Sequence, residues 1–214
     1  MKHGKFESGR NGNPTVRQEN GDDRDLNNSK NQGVLSYLHD FVFLLAGILL
    51  VFLLLFRVVV VSGPSMKNTL LHGDYIILLN NVLYGEPKQG DIIVASKDSF
   101  KNGEPIIKRV IATEGQHVRI DFETGVVYVN NEPLDESYTL TPTNLWQGMD
   151  IDLIVDEGCV FVMGDNRNVS KDSRNPEIGQ IDCREILGKA IFLLFPGADE
   201  YTKSRDLKRI GVLS

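Results

Sequence analysis

The feature that most constrains this chain is an apolar run of membrane length. Phe41–Phe56 is sixteen consecutive residues without a charge, Arg57 interrupts, and Val58–Val61 resumes. Counted across Arg57 the stretch is 21 residues, close to the roughly 20 that a helix needs to cross a hydrocarbon core. An arginine near one end of such a span reaches the interface by extending its long side chain. The run is therefore read as one transmembrane anchor, residues 37–61. A cleaved secretory signal is the competing reading, with Val60 and Ser62 resembling a cleavage site. A leader of about 40 residues and a core longer than about 7–15 residues stand against it. Charge leaves the orientation nearly tied, with Arg24 and Lys30 on one side and Arg57 and Lys67 on the other. An N-in arrangement exports the larger, ordered part of the chain.

The remaining sequence divides around this anchor. Residues 1–36 are rich in Gly, Asn, Asp, Lys and Arg; such a segment buries too little apolar surface to offset ordering entropy and is expected to be a disordered tail. Beyond the anchor, short β-rich runs alternate with turn residues. Asp74–Leu79, Asp91–Ala95, Pro105–Ala112, Val118–Phe122, Val126–Val129 and Cys159–Met163 read as strands, and Ile186–Phe195 as a further apolar stretch. Glu123-Thr124-Gly125 reads as a hairpin turn in which glycine supplies a positive φ. A mainly β domain is expected over 62–200, with a possible second lobe near 133–157 and a C-terminal tail at 201–214. The basic stretch Lys203–Arg209 reads as a solvated end. A net charge of −6 and a pI near 5.3 argue against nucleic acid as a partner, because phosphate binding needs a basic face.

Two residues carry the chemistry. Ser65 follows Gly63-Pro64 just after the anchor, where a constrained turn presents its hydroxyl. Lys108 lies in the apolar run Ile106-Ile107-Lys108-Arg109-Val110-Ile111. A serine hydroxyl is a weak nucleophile that needs a base. A lysine amine serves as that base only when neutral, and burial among apolar side chains favours the neutral form. Each residue also has a plain reading, a surface-turn serine and an edge-strand lysine. Alternation on a strand puts Lys108 on one face with Ile106 and Val110, and Arg109 on the other with Ile107 and Ile111. Two adjacent cations in such a strand are costly without a partner or a task. The run Gly164 to Arg174 adds turn residues, short acceptors and two arginines, suiting a rigid supporting loop or a solvated one, with Asp172 able to pair with Arg174. Other schemes fit less well. His3, His39, His72 and His117 form no ligand spacing, His72 reads as a turn residue, and Cys159 and Cys183 form no CxxC pair and read as small buried apolar residues.

In combination, these segments closely resemble the bacterial type I signal peptidases (leader peptidases), in the family's order from the anchor to about Pro196. Gly63-Pro64-Ser65-Met66-Lys67-Asn68-Thr69-Leu70 matches the nucleophile box, with Asn68 where the family usually has proline. Gly90-Asp91-Ile92-Ile93-Val94 and Ile107-Lys108-Arg109-Val110-Ile111 match the next boxes. Ala112-Thr113-Glu114-Gly115-Gln116 departs from the usual Gly-Leu-Pro-Gly-Asp. The Gly164–Arg174 pattern is intact and the most specific, and Ile186-Leu187-Gly188-Lys189-Ala190 resembles the closing strand.

The resemblance implies an antiparallel β-sheet peptidase fold with a Ser/Lys dyad and no metal or organic cofactor. It makes Ser65 the nucleophile, Lys108 the general base and Ser170 the hydroxyl that orients the lysine amine. Asp172 and Arg174 become a supporting ion pair, and Asp165 and Arg109 structural supports. Gly63 stands where some members carry a serine that donates to the oxyanion. The Ser65 backbone N–H is left as donor, and losing a second donor costs on the order of 10²-fold in rate. The implied activity is removal of signal peptides from exported preproteins, by a single-pass membrane protein whose catalytic domain faces away from the cytoplasm. Two other functions compete. One is a self-cleaving Ser/Lys peptidase of the repressor type, which the anchor opposes. The other is a catalytically silent, membrane-tethered β module that binds partners.

Overall fold

The computed structural model describes residues 22–97, 100–198 and 203–213, with side chains from Leu35 onward except at Lys101. Two units are present, Met1–Leu50 and Val51–Ser214. Among the described residues, the first holds most of helix α1, Asp22–Leu55. Within it, Leu35–Leu55 is a 21-residue segment long and apolar enough to cross a membrane, and its large apolar side chains are exposed to the surroundings.

Two boundaries differ from those expected. The helix begins at Asp22, so residues 22–36 of the expected tail are helical, while 1–21 lie outside the described residues. Helix α1 also stops at Leu55, not at Val61. Phe56–Val60 is strand β1, whose β-branched Val-Val-Val run suits a pleated ladder. It pairs antiparallel with β2, Tyr75–Asn80, from Phe56↔Leu79 to Val60↔Tyr75. Asn80 Nδ2 donates to the orphaned Leu54 carbonyl at 3.3 Å, which marks the end of the helix.

The second unit continues through the one-turn helix α2 (Asn81–Tyr84), β3 (Ile92–Ala95), β4 (Ile106–Thr113), β5 (His117–Asp121), β6 (Val126–Val129) and β7 (Glu132–Pro133). It closes with β8 (Asp152–Ile154), β9 (Cys159–Met163), β10 (Ile181–Asp182), β11 (Ile186–Phe195) and β12 (Gly211–Val212). The six strands expected from sequence all form, with ends within about a residue, and the further apolar stretch Ile186–Phe195 is strand β11. The larger sheet runs β1-β2-β11-β3-β4-β9-β10 with β12 on β11, and every pairing is antiparallel. The fold is thus mainly antiparallel β with an N-terminal apolar helix.

A smaller sheet runs β7-β6-β5-β8, so the second lobe starts at His117 and not near 133. Its hairpin turns at Gly125, at φ +75°, whose N–H bonds to the Asp121 carbonyl at 2.7 Å. The 134–151 segment contributes no strand. Ile111, Ala112, Phe161 and Met163 of the large sheet pack with Val118, Ile120, Val127 and Val129 of the small one, forming one cluster. A second cluster gathers Val61, Met66, Leu70, Ile76, Leu78 and Leu193 around β2 and β11. That second cluster fixes the floor of the turn after β1.

Candidate active site

The turn after β1 is closed by two backbone bonds, Val61 N–H to Asp74 O at 2.8 Å and Gly73 N–H to Val61 O at 2.9 Å. Inside it, Gly63 adopts φ +88°, a region that disfavours side chains, and its N–H donates to His72 Nδ1 at 3.3 Å. His72 is thus a turn residue. Lys67 N–H bonds to Pro64 O at 3.0 Å and Leu70 N–H to Met66 O at 2.8 Å. Met66 and Leu70 are buried in the second cluster and hold the turn down, leaving Ser65 half-exposed above them. The Ser65 N–H donates to no group among the described residues.

Lys108 lies on β4, between β3 and β9, and is only 5 % exposed. Its Nζ donates to Ser65 Oγ at 3.1 Å and to Ile107 O at 2.9 Å. The two residues separated by 43 positions in the chain are brought within hydrogen-bonding distance.

The Gly164–Arg174 loop follows β9 and is rigid by construction. Asp172 accepts from Gly164 N at 3.0 Å and pairs with Arg174 Nε and Nη2, both at 2.8 Å, with both side chains fully buried. Arg174 also donates to Arg167 O at 2.7 Å. Asn166 holds the serine turn directly, with N–H to Ser65 O at 3.0 Å and Nδ2 to Pro64 O at 3.1 Å. At Gly164 a Cβ would sit 2.3 Å from Ser170 Oγ and 2.5 Å from Ser65 O, so only glycine fits between them.

Asp165 joins the same assembly. It accepts from Arg109 Nε and Nη2 at 2.9 Å each and from Thr69 Oγ1 at 2.5 Å, while Arg109 Nη1 donates to Gly90 O at 2.7 Å. The adjacent Lys108 and Arg109 of β4 therefore both have partners. Ser170 behaves differently from expectation. Its hydroxyl is buried and makes no hydrogen bond among the described residues, so the lysine amine is not held by it here.

Several contributors were not visible in the sequence. The Tyr138 ring lies 4.1 Å under the Arg109 guanidinium, and burial pushes its hydroxyl up to about 12. Asn68, at φ +100°, donates to Tyr138 O at 3.0 Å. Gln147 Nε2 donates to Ser170 O at 2.7 Å and Arg167 Nη1 to Thr143 Oγ1 at 2.8 Å. Arg167 Nη2 also lies 2.5 Å from Glu136 Oε1, near enough for an ion pair though not aligned for a hydrogen bond. The 134–147 segment is thus strapped to the site loop. Those contacts join residues 23 to 70 apart, which local patterns do not report.

Other chemistries find less support. Among the described residues no group of His, Cys, Asp and Glu could hold a metal ion. His117 pairs with Asp152 at 2.5 Å on the small sheet. Cys159 and Cys183 are free and half-buried, packed against different clusters, and burial raises both thiols.

The model of the family described as signal peptidase, peptidase S26, matches residues 34–195. The chain is 36 % identical over 146 residues to a probable signal peptidase I-1 of Synechocystis, covering 64 % of this chain and 70 % of that one. It is 35 % identical over 156 residues to signal peptidase I of Bacillus licheniformis, covering 69 % and 81 %. A signal peptidase I P of Bacillus subtilis subsp. natto matches at 29 % over 180 residues, covering 80 % and 95 %. The match spans the apolar helix, the turn of Ser65, the strand of Lys108 and the loop that braces them, and on it this chain belongs to the signal peptidase family, peptidase S26.

Proposed function

We propose that the protein is a membrane-tethered serine endopeptidase that removes signal peptides from exported preproteins through a Ser65/Lys108 dyad. The observation that carries this reading is the 3.1 Å contact between Lys108 Nζ and Ser65 Oγ, with the lysine 5 % exposed. Burial disfavours the charged form of an amine, which suits a general base.

In the proposed sequence, Ser65 Oγ attacks the scissile carbonyl carbon while neutral Lys108 takes the hydroxyl proton. The Oγ–C bond forms and the carbonyl oxygen becomes an oxyanion, facing the undonated Ser65 N–H. Lys108 then passes its proton to the leaving amide nitrogen and the C–N bond breaks, leaving an acyl ester on Ser65. A water attacks the ester carbon while Lys108 accepts its proton; the Oγ–C bond then breaks, the acyl part leaves as a free carboxyl end, and return of the proton to Ser65 Oγ resets the dyad. Asp165 with Arg109 and Asp172 with Arg174 hold the turn and the loop in register. Helix α1 confines the enzyme to the plane in which a membrane-held preprotein lies, with its N-terminus cytoplasmic and the β unit on the other side.

The test is cleavage of a purified preprotein by the full chain in detergent, with the cut mapped by mass spectrometry. Ser65→Ala is expected to abolish cleavage, and Lys108→Ala to lower kcat by about 10²–10⁴-fold, with both variants folded by circular dichroism. Unchanged cleavage in either variant rejects the dyad; no cleavage by the parent chain favours the silent binding module.

A further inference from the structure

The C-terminal segment lies beyond residues 34–195 that match the family, yet its arginine reaches the turn that carries Ser65. Asp74 closes that turn and is fully buried. Its carboxylate accepts from Leu71 N at 2.7 Å and Gly197 N at 2.7 Å. The remaining positions are filled by Arg209, with Nη1 to Oδ1 at 3.0 Å and Nη2 to Oδ2 at 2.6 Å. Arg209 Nη2 also donates to the Thr69 carbonyl at 3.2 Å, and the Thr69 hydroxyl donates to Asp165. A basic stretch expected to be a solvated end is therefore joined to the site's bracing network.

Attachments on both sides of Arg209 in the chain hold it in place. Strand β12 pairs with β11 through Phe192↔Val212 and Leu193↔Gly211. Leu213 N–H bonds to Ile191 O at 3.0 Å, and its side chain packs on the cluster containing Met66 and Leu70. Arg205 Nη1 adds a bond to Pro196 O at 2.6 Å. A planar fork on a buried carboxylate fixes both distance and orientation, so the clamp holds the second half of a turn whose first half presents the hydroxyl.

We propose that Arg209 is a positioning residue for the reaction: through Asp74 and Thr69 it holds the Ser65 turn at the distance from Lys108 that proton transfer requires. The inference rests on the peptidase reading, and the experiment separates the two. Arg209→Ala and Arg209→Gln are made in the full chain. In detergent, kcat and KM are measured on a preprotein below the melting temperature, alongside amide hydrogen exchange over residues 66–74. A displacement near 1 Å at a reacting group costs up to about 10²-fold, so kcat is expected to fall about 10- to 100-fold with KM within about twofold. Exchange over 66–74 is expected to rise, Arg209→Lys to recover part of the rate, and added guanidinium to restore rate to Arg209→Ala. Should Arg209→Ala unfold, the same readings are taken on Arg209→Lys. An unchanged kcat, a change in KM alone, or unchanged protection of the 66–74 amides overturns the proposal. A parent chain that cleaves nothing, with faster exchange in the variants, removes the peptidase reading and leaves the clamp standing.

Discussion

Gly164 has no side chain because two other groups need its space. A methyl there would meet Ser170 Oγ and the Ser65 carbonyl at 2.3 and 2.5 Å, and the second neighbour is backbone that cannot rotate away. Overpacking of this kind costs about 1–3 kcal/mol and here displaces the serine itself. Gly164→Ala is expected to lower the melting temperature and to reduce kcat for preprotein cleavage, with Ser65→Ala as the inactive reference. A melting curve and a cleavage rate matching the parent would show that the loop yields without cost. Asn68 makes a related point. Its φ of +100° is closed to proline, which is locked near −65°, so the proline usual in the family cannot occupy this turn as it stands. The side chain found there ties the turn to Tyr138. Residue types alone made Ser65 and Lys108 candidates, because a hydroxyl and a buried amine suit one another chemically. Thr69 and Tyr138 gave no such signal, since their roles depend on partners distant in the chain.

At the scale of elements, the alternating and continuous apolar runs located the main strands to within about a residue, because pleating imposes a period of two wherever one face is buried. The error at the end of α1 has a physical origin. Phe56–Val60 is apolar enough to extend a membrane span but β-branched enough to pair, and pairing is decided by β2, which lies beyond the turn. Strand β3 is tied similarly at its entrance. Asp91 binds Lys189 Nζ of β11 at 2.5 Å and the Tyr84 hydroxyl of α2 at 2.6 Å. Burial pushes the Asp91 carboxyl up, but the Lys189 ammonium, the Tyr84 hydroxyl and the Lys88 N–H outweigh it and hold the group below its ordinary range. A depressed folded value means stabilisation that is present above the unfolded pKa of about 3.9 and is lost as pH falls through the folded value. Asp91→Asn is therefore expected to be less stable than the parent at pH 7, with the gap closing below about pH 4. Urea unfolding at both pH values measures this, and a gap that stays constant would exclude the carboxylate as its source.

At the scale of the whole molecule, the helix Leu35–Leu55 and the β unit have different solvents in the proposed reading. The helix carries large exposed apolar side chains along its length, which hydrocarbon accommodates and water does not. A charge at the centre of such a span costs about 2.5–3.5 kcal/mol on insertion. The double variant Leu45→Arg/Leu49→Arg is expected to move the chain from the membrane fraction to the soluble or aggregated one after alkaline carbonate extraction, whereas the parent stays in the pellet. Retention of the double variant would count against a spanning role for α1. The C-terminal segment shows the opposite case: charge alone suggested a solvated end, and residues 203–208 are exposed, but the half-buried Arg209 is tied to the fold by its pairing with the buried Asp74.

The linear order of residues determined the apolar helix, the main β-strands, the hairpin at Gly125 and the pairing of a serine with a lysine as chemical candidates. The helix, strands and hairpin each follow from composition or spacing within one short segment, whereas the serine and the lysine lie 43 residues apart and became candidates by residue type. Only tertiary structure decided that Phe56–Val60 leaves the helix for a sheet, that Ser170 makes no bond to the lysine amine, and that Arg209 closes on Asp74. Those outcomes depend on which groups meet across the fold, where burial makes an unpaired charge costly and an occupied volume exclusive.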